Sequence, residues 1–251
     1  MITPKNKENP ILSLFCNILI PVIILKNGNK WINKILIKYH GNEWAYQNST
    51  IVDISSIVFF IALIFPVIYF FYDLLNRKNI NFISIFGFIN ILLTGGIGIF
   101  GAKLGLSKFW FILKEGMLPI LIGLMLIIMS KYRESSFKNI LLNKVLFDID
   151  KISIAIKEDM RYKFESIIRK AGYHLIAGFF ISSIIQFGLA YLIVVSNPGE
   201  SSFNKEVSTM TWVSYVAVLL PTMLIVGKGY LGLISGIEKI TGLKKEEFLK
   251  S

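Results

Sequence analysis

The feature that most constrains this sequence is an apolar run at residues 109–129 that carries a Lys-Glu pair. A hydrocarbon core of about 30 Å needs about 20 apolar residues of helix, so the run predicts a transmembrane helix. An ionisable residue at bilayer depth costs roughly 2.5–3.5 kcal/mol on insertion scales and marks a bundle interior or a pathway. Lys114 and Glu115 therefore need partners.

The helical positions of the two charges differ. Glu115 falls on the side of the helix that holds Gly116, Pro119 and Gly123, whereas Lys114 lies about 100° away among apolar residues. We expect Glu115 to face the interior of a helix bundle. The pattern leaves the direction of Lys114 open.

The composition is typical of a membrane protein. Hydrophobic residues make up 54% of the chain, charged residues 17%, and the mean hydropathy is +0.62. The net charge of +11 does not indicate nucleic acid, because the basic residues flank apolar runs as in membrane loops. The single cysteine, Cys16, excludes an intrachain disulfide. Lys5 and Lys7 precede an apolar run, as the charged residues of a signal peptide do. No small-residue cleavage site follows, so we expect an uncleaved first helix.

Apolar periodicity predicts an all-α polytopic membrane protein with one membrane domain over residues 1–251. Its six spans are residues 11–25, 54–72, 82–100, 109–129, 173–195 and 212–235. The first span is short, at about 22 Å, so it must be extended, surrounded by thinned bilayer, or broken at Pro21. Helical spacing from Trp31 to Tyr39 predicts a separate, short interfacial helix.

The connection at residues 130–172 is basic and amphipathic, and we expect it on the membrane surface, in contact with anionic lipids. Most Lys and Arg residues outside the spans fall on the side that holds this connection and both termini, which predicts that this side is cytoplasmic. Spans two, four and six each contain a proline. A threefold helical hairpin repeat and a chance distribution of prolines both stay open.

Each span has a stripe of small or polar residues that would face the other helices. By their approximate position along the predicted spans, the polar groups fall into three sets. The outer set has Thr94 and Glu115, the middle set Asn90 and Gln186, and the inner set Asp73, His174 and Lys228. The hairpin between spans three and four places Thr94 at about the depth of Lys114. These eight residues are the candidate binding or pathway groups.

Two interpretations of these groups stay open. If the inner set meets, Asp73 and Lys228 could form an ion pair, and His174 could relay protons. Alternatively, the uncharged groups join helices by hydrogen bonds of about 0.6 kcal/mol each, and the long charged side chains extend to the headgroups. Glu115 is the exception, because a short carboxylate two turns deep cannot extend that far.

Signatures of catalysis are missing from the sequence. His40 and His174 lie on different segments, without metal-ligand spacing, and the chain has no nucleophile or phosphate-loop motif. The Gly95-Gly96 pair lies within a span and is typical of helix packing. We therefore expect no enzyme, metal site or cofactor.

Several short pieces of the chain match one family. They are Glu8-Asn9-Pro10, residues 17–21, residues 81–84, residues 93–96, Phe111 with Lys114, Glu115 and Pro119, Phe203-Asn204 with Met210-Thr211, and residues 241–243. With these pieces the chain resembles a family of bacterial six-helix inner-membrane proteins that is distantly similar to the intracellular septation protein A group. The resemblance implies a multi-pass inner-membrane protein. The family has no established activity, so the resemblance assigns no site residue.

Two functions are compatible with these patterns. The polar stripes favour a transporter or channel-like protein for a small solute or ion. The septation-like resemblance favours a non-enzymatic membrane scaffold in cell-envelope assembly or septation. A substrate, a second copy of the chain and an envelope protein stay open as partners beside the lipid bilayer. A transporter needs a water-accessible cavity that reaches Glu115 or Lys228, and a scaffold needs a packed bundle with a partner surface.

Overall fold

A computed structural model describes residues 12, 14–40, 54–77, 82–144 and 146–250, and this part of the chain is helical. The predicted all-α class is therefore confirmed. A π-helical segment, Phe15–Leu19, precedes α1, and a 3₁₀ turn, Glu158–Met160, precedes α7. The helices are α1 (Ile20–His40), α2 (Ile54–Arg77), α3 (Phe82–Phe100), α4 (Lys108–Tyr132), α5 (Glu134–Leu141), α6 (Ile149–Ala155), α7 (Arg161–Ile193), α8 (Phe203–Thr241) and α9 (Lys245–Phe248).

Among the described residues, four helical segments are long and apolar enough to cross a membrane, which supports the predicted membrane-protein class. They are Ile54–Leu75, Lys108–Tyr132, Glu158–Ile193 and Phe203–Thr241. In α3 the apolar segment found among the described residues is shorter, Phe88–Phe100. The helices at the fifth and sixth predicted spans extend well beyond the predicted bounds.

The first span is extended rather than broken. The helical path runs from the π-helical segment through Pro21 to His40, so Trp31 and Tyr39 belong to α1 and not to a separate interfacial helix. Pro21 lies inside this continuous helical path, where its missing N–H removes one hydrogen bond from the helix. The π-helical segment just before it ends with the Ile20 N–H donating to the Phe15 carbonyl. This local change of hydrogen bonding accommodates the proline without ending the helix.

The described chain forms two compact units. Unit 1 comprises residues 1–118 and 186–216, and unit 2 comprises residues 119–185 and 217–251. Unit 1 has a core of aromatic rings, in which Phe203 stacks on Phe59 at 6.2 Å and meets Phe111 edge-on at 5.6 Å. A Cβ at Gly98 would come within 2.6 Å of the Phe59 ring, so α2 and α3 approach closely here.

Buried hydrogen bonds join the helices of unit 1. Asn204 Nδ2 donates to the Ser55 carbonyl at 2.9 Å, and Ser208 Oγ donates to the Val22 carbonyl at 3.0 Å. Ser56 Oγ donates to the Ile99 carbonyl at 2.9 Å. These bonds tie α8 to α1 and α2, and α2 to α3. Polar side chains therefore work, at these positions, as links between helices.

In unit 2 the basic connection packs into a core of its own. Phe137, Leu141 and Phe147 are buried there with Phe248 from α9, whose ring stacks on Phe147 at 6.4 Å. The Asp148 N–H donates to the Phe248 carbonyl at 2.8 Å, which adds the C-terminal segment to this core. The last part of the connection, which the sequence predicts to be amphipathic, forms the first part of α7, with Phe164 buried.

Candidate functional site

The α3–α4 hairpin of unit 1 brings the candidate polar residues together. A seven-residue turn joins the helices, and its Gly105 adopts a φ of 63°, which favours glycine. Because the hairpin is antiparallel, the last turns of α3 lie beside the first turns of α4. Asn90 and Thr94 thereby lie beside Lys114.

The ammonium group of Lys114 is the centre of the site. Lys114 Nζ donates to Asn90 Oδ1 at 3.1 Å, to Thr94 Oγ1 at 2.6 Å and to Glu115 Oε1 at 2.5 Å. A lysine ammonium has three N–H donors, so these three oxygens satisfy it. We call the three oxygens, together with the Phe111 ring at 4.9 Å from Nζ, the Lys114 cage.

The hydroxyl of Thr94 is fixed by a second hydrogen bond. Thr94 Oγ1 donates to the Asn90 carbonyl at 2.8 Å, within α3. The hydroxyl proton is therefore committed to the backbone, and the oxygen lone pairs face Lys114. All three oxygen atoms of the cage act as hydrogen-bond acceptors.

The two charged residues differ in how accessible they are. The side chain of Lys114 is 6% exposed and that of Glu115 is 16% exposed. The helical pattern left the direction of Lys114 open, and the structure places it inside. The reason is that α3 supplies two acceptors that a long lysine can reach. Neighbouring helix positions do not normally face each other, so the contact between Lys114 and Glu115 depends on both side chains bending towards the cage.

The face of Glu115 meets another helix, as the sequence predicts. Gly116 packs against the ring of Phe187 in α7, and a Cβ at position 116 would overlap that ring. Both residues belong to unit 1. The first turns of α4 therefore lie between α3, which holds Lys114, and α7.

Gln186, the other residue of the predicted middle set, also lies in unit 1. Its Oε1 atom is buried and has no hydrogen-bond partner among the described residues. The hydrogen bonds of Lys114 go to Asn90, Thr94 and Glu115. A link between Gln186 and the cage stays a prediction.

The predicted inner set is divided between the units. Asp73 lies half-buried in unit 1, whereas His174 and Lys228 lie in unit 2, so a meeting of the three stays a prediction. His174 Nδ1 lies 2.8 Å from the Lys170 carbonyl of its own helix. Lys228 is exposed, so the prediction that it faces the interior is wrong. The apolar side chains of Leu233 and Ile237 take the packed face of α8 instead.

Sequence reasoning missed a polar cluster around Glu206, in the first turns of α8. Glu206 Oε2 accepts from the backbone N–H groups of Val195 at 3.0 Å and Ser196 at 2.8 Å. Glu206 Oε1 accepts from Ser196 Oγ at 2.7 Å, and this hydroxyl also lies 2.6 Å from Ser202 Oγ. The signal in the sequence is the polar stretch at residues 196–204 directly before an apolar run. The cluster fixes the loop between α7 and α8.

Unit 2 contains an apolar cavity of about 420 Å³ between α7 and α8. Leu175, Phe179, Met223 and Val226 line it, and Thr222 Oγ1 is buried without a hydrogen-bond partner among the described residues. Neither Glu115 nor Lys228 lines this cavity, so it is not the water-accessible path that a transporter needs. A path that reaches Glu115 stays a prediction. Within the described residues no group of three or more His, Cys, Asp or Glu side chains could hold a metal ion.

The chemistry of the Lys114 cage is that of charge pairing. The ammonium and the carboxylate cancel in net charge, and the remaining groups are an amide and a hydroxyl, without an activated nucleophile. Such an arrangement can hold or exchange a cation. No family model, curated protein or solved structure matches the chain.

Proposed function

We propose that the protein is a transporter or channel-like protein of the bacterial inner membrane that moves a small solute or ion through a polar interior containing the Lys114 cage. In this proposal the chain crosses the bilayer six times, with both termini in the cytoplasm. The four span-length apolar helices support a multi-pass protein, and the asymmetric distribution of Lys and Arg supports the orientation. The two further crossings, at α1 and α3, are part of the proposal.

The observation that carries the proposal is the buried Lys114–Glu115 pair within a helix of spanning length. Taking two charges out of water costs several kcal/mol per ion. The attraction between the two buried charges is of about the same size, so the pair adds little net stability. An apolar pair of similar volume would often pack as stably or more stably. Stability alone therefore does not account for these charges, and a role in handling a charged or polar substrate does.

The partial exposure of Glu115 supports the same function. Its side chain is 16% exposed while the paired Lys114 is 6% exposed, so the carboxylate is the reachable member of the pair. A substrate that enters the site therefore meets Glu115 first. Intramembrane carboxylates of this kind typically lie on ion pathways or proton relays.

A membrane scaffold in envelope assembly or septation is the second candidate. In unit 2 the basic connection packs on an apolar core. The exposed Lys and Arg side chains around α5 to α7 offer a surface for a partner protein or anionic lipids. The resemblance to the septation protein A group favours this alternative. In a scaffold the Lys114 cage would only join α3 to α4.

A complementation experiment tests the proposal. A deletion strain is screened for a growth or uptake phenotype and then supplied with the wild type, Glu115→Gln, or Glu165→Gln as a matched control at an exposed position of α7. We expect Glu165→Gln to complement fully and Glu115→Gln to fail while it accumulates in the membrane. Full complementation by both Glu115→Gln and the Lys114→Met/Glu115→Gln double variant would contradict a transport role for the cage and favour the scaffold.

A further inference from the structure

The Lys114 cage resembles a cation site whose occupant is tethered to the protein. Three oxygen acceptors surround Nζ at 2.5–3.1 Å, and the Phe111 ring lies 4.9 Å from it. Oxygen acceptors together with an aromatic face are the groups that proteins use to bind an ammonium group. The butyl chain of Lys114 delivers that group from α4.

The same geometry argues against an anionic ligand. The three N–H groups of Lys114 already have acceptors, and the Thr94 hydroxyl donates to the Asn90 carbonyl. An arriving anion would meet the Glu115 carboxylate and two further acceptor oxygens, which disfavour it by like-charge repulsion and by the lack of donors. A cation would meet the same atoms as ligands.

We propose that the Lys114 cage binds a free primary ammonium group, either the ammonium ion or an alkylamine, in exchange for the ammonium group of Lys114. Beside Glu115 one monovalent cation replaces another, and the displaced Lys114 ammonium, which stays attached to α4, extends along its butyl chain towards water or the headgroups. This inference rests on the proposed function and names the substrate class of the same site. Glu115, as the more exposed residue, receives the incoming group, and Lys114 is the internal competitor.

The competition has a consequence for the wild type. A tethered ammonium has an effective concentration in the millimolar range or above, so a free amine displaces it only at high concentration. Removing the tether should reveal the site. Lys114→Ala deletes the competing ammonium and keeps the Asn90, Thr94 and Glu115 oxygens.

The test measures thermal melts of the purified full-length chain in detergent against increasing methylammonium chloride or ammonium chloride. Sodium chloride and choline chloride at equal ionic strength are the salt controls, since choline has no N–H donor. Lys131→Ala, at the far end of the same helix, is the matched control variant. Lys114→Ala/Glu115→Gln removes the carboxylate from the emptied cage.

We expect Lys114→Ala to have a lower melting temperature than the wild type. Its melting temperature should rise by about 3 °C or more for each tenfold increase in amine concentration above the dissociation constant. Lys131→Ala and Lys114→Ala/Glu115→Gln should not respond to the amine. A response to ammonium but not to methylammonium assigns the site to the free ion. A response to both assigns it to primary amines in general. No response to either, or an equal response to sodium chloride, overturns the proposal.

Two further measurements keep the outcome decisive. If Lys114→Ala does not fold, Lys114→Met takes its place in the same melts, because it also removes the ammonium group but keeps most of the side-chain volume. Methylammonium should raise the melting temperature of Lys114→Met relative to choline at equal ionic strength, and equal melting temperatures overturn the proposal. Methylammonium uptake into proteoliposomes separates the two claims: if the amine binds but no flux is detected, the cation site stands and the transport function fails.

Discussion

Gly116 of α4 lies so close to Phe187 of α7 that a Cβ at position 116 would overlap the phenylalanine ring. Phe187 itself is partly buried and packs against the core of unit 1. This contact sets the distance between α4 and α7 one residue away from Glu115. The position of the carboxylate therefore depends on a neighbouring glycine.

Gly116→Ala should destabilise the protein by about 1–3 kcal/mol, because the added methyl group overpacks the contact with Phe187. The expected fall in melting temperature is about 2–4 °C per kcal/mol for a chain of this size. Gly188→Ala is the matched control, since a Cβ there meets nothing within 4 Å. Equal melting temperatures for the two variants would show that α4 and α7 do not approach this closely.

The predicted bounds of α3 were confirmed because a continuous apolar run with clear polar flanks leaves few alternatives. The path of the first helix was not predictable in the same way. A π-helical segment before Pro21 depends on backbone hydrogen bonds that have no marker in the sequence. A helical wheel gives only the direction in which each side chain leaves the helix. It does not include the length of a lysine side chain, so it could not show that Lys114 reaches acceptors on α3.

Predictions at the inner side of α8 failed for a packing reason. The polar stripe suggested that Lys228 faces the interior, but the structure packs Leu233 and Ile237 there. A stripe in one helix does not reveal which face its neighbours cover. The Glu206 cluster was missed because its partners are mainly backbone N–H groups, which no side-chain pattern records.

Phe248→Ala should destabilise unit 2 by about 3–5 kcal/mol, because a fully buried ring is removed from its stack on Phe147. Tyr162→Ala, in the same unit but 78% exposed, should stay within about 0.5 kcal/mol of the wild type. Thermal melts of both variants in detergent check this. A Phe248 variant as stable as the Tyr162 variant would mean that the C-terminal segment does not belong to the core.

Glu206→Ala should loosen the loop between α7 and α8, because the backbone N–H of Ser196 loses its buried acceptor. An unsatisfied buried donor costs about 1–3 kcal/mol. The measurement is the rate of limited proteolysis at residues 195–202, which should rise. Ser201→Ala removes an exposed side-chain hydroxyl of the same loop and should leave the rate unchanged. The assignment of Glu206 as the loop anchor fails if both variants are cleaved at the same rate.

Cysteine accessibility tests the proposed topology in intact cells. In a Cys16→Ser background, single cysteines in residues 132–170 and at the C-terminus should be shielded from an impermeant thiol reagent. A cysteine near Ser202 should react, because the proposed topology assigns the loop between α7 and α8 to the periplasmic side. The reverse labelling pattern would contradict the assignment of the basic side to the cytoplasm.

Lys114 and Glu115 form a pair within the apolar helix α4, and a double-mutant cycle measures how strongly they are coupled. Thermal melts compare the wild type, Lys114→Met, Glu115→Gln and the double variant. We expect each single substitution to cost about 1–3 kcal/mol, since it leaves a buried partner without its counter-charge. The double variant should recover stability, with a coupling energy of at least about 1 kcal/mol. Additive changes near zero in all three variants would contradict the pair.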